Sequence, residues 1–194
     1  MLRRRMSLGV AVVLILLGLC AGSALAQEQA SPKRTPDVIY VPTHQDAVNA
    51  MLKLANLTKD DVVYDLGCGD GRIPVTAARD FGARAVGVDI DPQRIAEAKA
   101  NVRAANVGDK VKIIEGDLFQ QPIGEATVVT LYLLPSLNQR LMPKLLAELK
   151  PGSRVVSHSF KMGSSDWEPE QTVEVPCSDG VTRTIYLWTI PEKK

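Results

Sequence analysis

From residue 62 onward the chain alternates short apolar runs with longer stretches in which apolar residues recur every three or four positions. The runs at 62–64, 85–88, 111–114, 127–132 and 154–159 are dominated by β-branched and aliphatic residues and read as strands. Residues 72–81, 92–105 and 138–149 read as helices. Ile95, Ala98 and Val102 mark one face of the second, and Leu141, Leu145 and Leu149 one face of the third. Pro92 suits a helix start, and Lys150-Pro151-Gly152 ends the last helix. Two further β-rich runs, 172–175 and 184–189, flank Ser178-Asp179-Gly180. Near-continuous apolar strands separated by helices predict a parallel sheet covered on both faces. The link 176–183 is too short for a crossover, so the final two strands pair antiparallel. The pattern predicts an α/β domain of five parallel strands plus a terminal hairpin.

The N-terminus has a different character. Arg3, Arg4 and Arg5 precede an uncharged apolar run at 8–20, and Ala24-Leu25-Ala26 supplies small residues for a signal peptidase. Residues 1–26 therefore read as a signal peptide or, because 6–26 carries no charge and is long enough to span a bilayer, as an N-terminal membrane anchor. Leu19 is too bulky before Cys20 for a good lipidation site, and Arg4-Arg5 makes a weak twin-arginine signal. In either case the rest of the chain is expected to be exported, to the periplasm or the outside, released or anchored by residues 6–26. Residues 27–37 are polar, hold Pro32 and Pro36, and read as a tether before a single domain at 38–194. Without residues 1–26 the chain has 20 basic against 22 acidic side chains and no basic run, so nothing points to a nucleic-acid partner. Cys68 and Cys177 are too few for a disulfide scaffold.

Candidate chemistry gathers where strands end. The first strand runs into Asp65-Leu66-Gly67-Cys68-Gly69-Asp70-Gly71-Arg72, a glycine-rich turn that lets a ligand approach the backbone. Dinucleotide loops place a third glycine where Arg72 stands, and two carboxylates, Asp65 and Asp70, would repel a pyrophosphate. They suit a ligand with cationic groups and no phosphate, which describes S-adenosylmethionine. Asp89, about 20 residues further on, can accept both ribose hydroxyls, as it could for NAD. Asp117 can accept from an adenine amine while Leu118 or Ile90 flanks the ring.

Asp65 to Arg72, Gly87-Val88-Asp89-Ile90-Asp91-Pro92 and Gly116-Asp117-Leu118-Phe119 resemble the successive cofactor motifs of class I S-adenosylmethionine-dependent methyltransferases. Tyr40-Val41-Pro42-Thr43, Thr130-Leu131-Tyr132-Leu133-Leu134-Pro135 and Ser157-His158-Ser159-Phe160 resemble a narrower group. These are small protein-lysine methyltransferases whose mitochondrial members modify the ATP synthase c subunit and the adenine nucleotide translocase. The resemblance spans about residues 38–167. It implies a Rossmann-like three-layer sandwich with a seven-stranded, mostly parallel sheet in the order 3-2-1-4-5-7-6, the last strand antiparallel. It implies S-adenosyl-L-methionine as donor, S-adenosyl-L-homocysteine as product, and no metal. It assigns the cofactor to Asp65, Gly67, Cys68, Gly69, Asp89, Ile90, Asp117 and Leu118, with Tyr40, Thr43, Pro135 and His158 as substrate or cofactor cover. In that order Cys68 and Cys177 lie four strands apart, ~19 Å, beyond disulfide reach. Where the mitochondrial members carry an organelle-directed N-terminus, this chain carries an export segment.

Enzymes that methylate base amino groups place Asn or Asp, two prolines and an aromatic after the fourth strand. Tyr132-Leu133-Leu134-Pro135 offers no amide or carboxylate there, which argues against a nucleobase. A lysine acceptor must lose its proton from a free pKa of about 10.4, which an apolar channel lowers by desolvation. Tyr132 is the candidate catalytic residue, orienting the amine, with strand-end packing its alternative role; His158 is either a core histidine or part of the site. The function expected is methyl transfer to a protein lysine. The alternatives are a small-molecule O- or N-methyltransferase, or an exported adenosine-ligand-binding protein without turnover. The partner expected is a membrane-associated protein substrate, with the chain itself a monomer.

Overall fold

The computed structural model describes residues 39–163 and 167–192. The export segment and tether expected at 1–37 lie outside the described residues. Within them the elements run α1 (Gln45–Leu54), β1 (Val62–Leu66), α2 (Arg72–Phe81), β2 (Arg84–Asp89), α3 (Pro92–Ala104), β3 (Val111–Glu115), β4 (Val128–Leu131), α4 (Pro135–Glu148), β5 (Arg154–His158), β6 (Gln171–Pro176) and β7 (Thr182–Thr189). One seven-stranded sheet has the order β3-β2-β1-β4-β5-β7-β6. The first five strands pair parallel, and β7 is antiparallel to both β5 and β6, as the short 176–183 link requires.

Period-2 alternation divides the core into two layers. Val63, Ala85, Val128, Val156 and Leu187 face α1 and α2. Val62, Tyr64, Leu66, Val86, Val129, Val155 and Trp188 face α4 through Leu141, Leu145 and Leu149. Burial on both faces explains why the central strands read as continuous apolar runs. β6, at the sheet edge, is mostly exposed and carries Glu174 and Pro176, which hinder further pairing.

Two elements differ from expectation. Helix α1 occupies a stretch for which no element was expected: Ala47, Val48, Met51 and Leu52 form its buried stripe, and His44 caps it by accepting the Asp46 N–H. Helix α4 begins at Pro135 and not at Asn138, because a proline at the first turn lacks an N–H that would go unpaired anyway.

At the amino ends of the strands, Asp61 joins β1, β4 and β5. It accepts from Thr127 Oγ1 (2.6 Å), from the Thr58 N–H (2.8 Å) and from Arg154 Nη2. The carboxyl ends are left for the site.

Candidate functional site

A cavity of about 560 Å³ opens at the carboxyl ends of β1, β2 and β3, a size suited to a cofactor. Asp65, Gly67, Cys68, Asp89, Ile90, Asp117, Leu118, Tyr40, Thr43 and Tyr132 all line it. Gly69, Pro135 and His158 do not. Gly69 is covered by Tyr40, Pro135 starts α4 outside the wall, and His158 stands behind Tyr132 and Thr43.

The parallel register sets Thr130 beside Asp65, and its hydroxyl donates to Asp65 Oδ1 at 2.8 Å. Burial, reinforced by the charges of Asp89 and Asp70, pushes the Asp65 carboxyl up to about 7 despite that bond. The next turn is fastened to β2, with the Gly67 and Cys68 amides both donating to Val88 O at 2.8 and 2.9 Å. Asp89 completes the tie, accepting the Gly69 N–H at 2.8 Å through one oxygen and the Asp91 N–H at 2.9 Å through the other. Each Asp89 oxygen keeps a lone pair for a hydroxyl.

Gly71, at φ 75, precedes α2 and packs so closely that a Cβ there would meet Ala98 Cβ at 2.9 Å. Gly69, at φ 52, has Tyr40 directly above it; a Cβ there would lie 2.2 Å from Tyr40 Cε2. Burial and the neighbouring charge of Asp70 raise the Tyr40 hydroxyl above its ordinary value, and the Arg94 guanidinium lies 4.6 Å from the Tyr40 ring centroid. Arg72 grips Asp70 at 2.6 Å and donates to Thr43 O at 2.8 Å. Residues 40–43 thus form a strap over the loop. Burial alone would raise the Asp70 carboxyl, but its bonds from Arg72 outweigh this and hold it low. Both acids line the cavity, but Arg72 pairs with Asp70, so Asp65 is the carboxylate left for a cationic group.

Cys68 lines the wall but is no nucleophile, since burial pushes its thiol well above its usual value. It and Cys177 are both free thiols. Sequence reasoning missed Arg94, Leu133 and Leu137 in the lining; Arg94 reads there as an ordinary helix-surface residue. His44, Asp46 and Cys177 bring three ligand atoms within 4.8 Å of one another, outside the cavity lining. His44 Nδ1 already accepts from Asp46 N–H, and Asp46 from the Ser178 amide and hydroxyl.

The residues fit S-adenosylmethionine. A buried carboxylate of raised pKa suits its ammonium, Asp89 the ribose, and Ile90 and Leu118 a flat base.

Comparisons with known proteins agree. The family of the ANTKMT methyltransferase domain matches residues 65–171. A protein-lysine N-methyltransferase of Saccharolobus islandicus (strain REY15A) is 49% identical over 161 residues, 82% of this chain and 98% of that protein. The adenine nucleotide translocase lysine N-methyltransferase of Mus musculus is 35% identical over 70% of this chain and 58% of its own length. The crystal structure of an RNA methyltransferase from Salinibacter ruber, in complex with S-adenosyl-L-homocysteine, superposes with a TM-score of 0.73. It is 52% identical and covers 79% of this chain and 96% of that one.

Proposed function

This chain belongs to the ANTKMT methyltransferase domain family, and from that premise we propose that it transfers the methyl group of S-adenosylmethionine to a lysine ε-amine on a protein. The observation that carries the reading is the likeness to a protein-lysine N-methyltransferase over 82% of this chain, joined to a cavity lined past β4 by Tyr132, Leu133 and Leu137. Bound S-adenosylmethionine supplies a methyl group on a sulfonium leaving group: the neutral amine's lone pair forms the N–C bond as the S–C electrons return to sulfur. Asp65, Asp89 and the turn at Gly67 and Cys68 hold the donor. The apolar wall strips water from the incoming lysine, lowering its pKa so that the amine arrives without its extra proton. Tyr132 lies just past β4 in the cavity lining, which supports assigning it to orient that amine.

RNA is the second reading, because the Salinibacter ruber relative is an RNA methyltransferase. Against it, the two arginines that line the cavity are engaged, Arg72 with Asp70 and Arg94 with Asp91 and Glu97, and do not offer themselves to phosphates. The exposed Ile39, Val41 and Leu134 beside the mouth suit an apolar acceptor segment. We infer a membrane-associated protein substrate, and a monomer acting outside the cytoplasm. Residues 1–26 support the location by their charge and apolar pattern.

The test is to incubate the full chain and labelled donor in parallel with membrane proteins, soluble proteins, total RNA and extracted metabolites. Protein should be labelled, with the added mass on lysine. Tyr132→Phe should slow transfer more than it weakens binding of S-adenosylhomocysteine. Label confined to RNA or to metabolites would replace the lysine reading.

A further inference from the structure

Strand β5 ends in a side chain that stands outside the cavity lining. His158 is 2% exposed and precedes Ser159, a non-glycine residue at φ 62, which marks a constrained turn. The turn is closed by Phe160 N–H donating to His158 O at 2.8 Å and by Ser157 Oγ donating to Phe160 O at 2.6 Å. It brings two rings to Tyr132: His158 with centroids 3.9 Å apart, and Phe160 at 6.1 Å and nearly parallel. His158 also reaches the strap, its Nδ1 3.3 Å from Thr43 Oγ1 in a buried contact. Among the described residues Nε2 has no hydrogen-bond partner, so Thr43 is the ring's polar tie. One imidazole therefore touches both the segment over the donor loop and the tyrosine on the acceptor side.

A general base is the obvious role for such a histidine, and it fails on magnitude. Burial, helped by the charge of Arg183, lowers the His158 pKa to about 4. Taking a proton from a lysine ammonium at about 10.4 would then be roughly a million-fold uphill. A ring that stays neutral throughout the working range serves better as a fixed surface.

We propose that His158 is a positioning residue for methyl transfer: its ring sets the plane of Tyr132 against the acceptor amine, and its contact with Thr43 ties that placement to the strap over the donor. The proposal rests on the lysine reading above for the nature of the acceptor, but not for the link to the donor.

Two measurements on the full chain test it. In the first, imidazole nitrogen resonances are followed with and without S-adenosylhomocysteine; His44→Gln identifies His158, since the chain has 2 histidines. The His158 signals should be those of a neutral ring from pH 5 to 8 and should move when the ligand binds, and Thr43→Val should remove most of that movement. No response to ligand in the parent chain would overturn the tie. In the second, transfer to a detergent-solubilised membrane-protein extract is measured over a range of extract concentrations. His158→Ala should lower the maximal rate at least tenfold while the Kd for S-adenosylhomocysteine stays within threefold. His158→Phe, which restores a ring against Tyr132, should recover part of the loss. Equal losses of binding and turnover, or an alanine variant as fast as the parent, would overturn the positioning role. If the parent labels no lysine, the lysine reading fails, and the resonance experiment still decides the link to the donor.

Discussion

Gly69→Ala tests the strap most directly, because one added methyl group meets one named ring. At Gly69 a Cβ would lie 2.2 Å from Tyr40 Cε2 and 2.9 Å from Cδ2, so the ring must retreat by more than ~1 Å. Retreat loosens the Arg94 contact at 4.6 Å, worth about 0.5–1 kcal/mol at a partly exposed site. It also draws the Tyr40 hydroxyl away from the Asp70 carboxylate, a polar interaction worth about 1 kcal/mol. Separately, φ 52 costs an alanine about 1 kcal/mol whatever lies above it. Gly69→Ala should therefore cost about 2.5–3 kcal/mol in the parent chain but only about 1 kcal/mol in a Tyr40→Ala background. The difference, about 1.5–2 kcal/mol, is the coupling between strap and loop, equivalent to roughly 10–30-fold in affinity if the strap covers bound donor. Thermal unfolding of the four chains, with calorimetric titration by S-adenosylhomocysteine, measures it. If the two costs agree within about 0.5 kcal/mol, Tyr40 does not lie over the loop and the account of the strap is wrong.

Asp65, raised to about 7, should make donor binding depend on pH. The ligand's ammonium favours the ionised carboxylate, so affinity for S-adenosylhomocysteine should rise with pH through about 7, with proton release near pH 6.5 seen as buffer-dependent heat; Asp65→Asn should flatten the profile. In the free protein the sign is opposite. A folded pKa above the unfolded value of about 3.9 means that this group's contribution to stability is full below pH ~4 and is lost as pH rises through about 7. Asp61 behaves conversely. Burial raises its carboxyl, but Thr127, Thr58 and Arg154 together hold it below its ordinary value, so its contribution is present above pH ~4 and is lost as acid protonates it. Asp61→Ala would leave Arg154 with its bond to Ala55 O but without a carboxylate for its charge, and should cost about 2–3 kcal/mol, lowering Tm by roughly 5–10 °C with donor affinity unchanged. A Tm shift below about 2 °C would show that this network does not tie β1, β4 and β5 together.

What could be read from the chain alone was local in origin. Residues 72–81 lie between Gly71 and Gly82, both at φ 75, and the turn chemistry that brackets α2 is written in those two residues. The antiparallel end of the sheet follows from the length of one link, and the acids closing β1, β2 and β3 follow from strand ends falling at one edge of a parallel sheet. What the tertiary structure decided depends on partners far apart in sequence. Asp70 looks free to meet a ligand until Arg72 turns toward it, anchored to Thr43 29 residues away. Gly69 looks like ligand-facing backbone until Tyr40 is laid across it. His158 reads first as a core histidine and only second as part of the site, and its contact with Thr43, 115 residues earlier, is what links it to the donor side. Periodicity and turn residues act through neighbours within a few positions, so they survive in the sequence. The charge a carboxylate keeps and the face a ring presents depend on which distant groups share its low-dielectric surroundings, and only the packed fold brings those groups together.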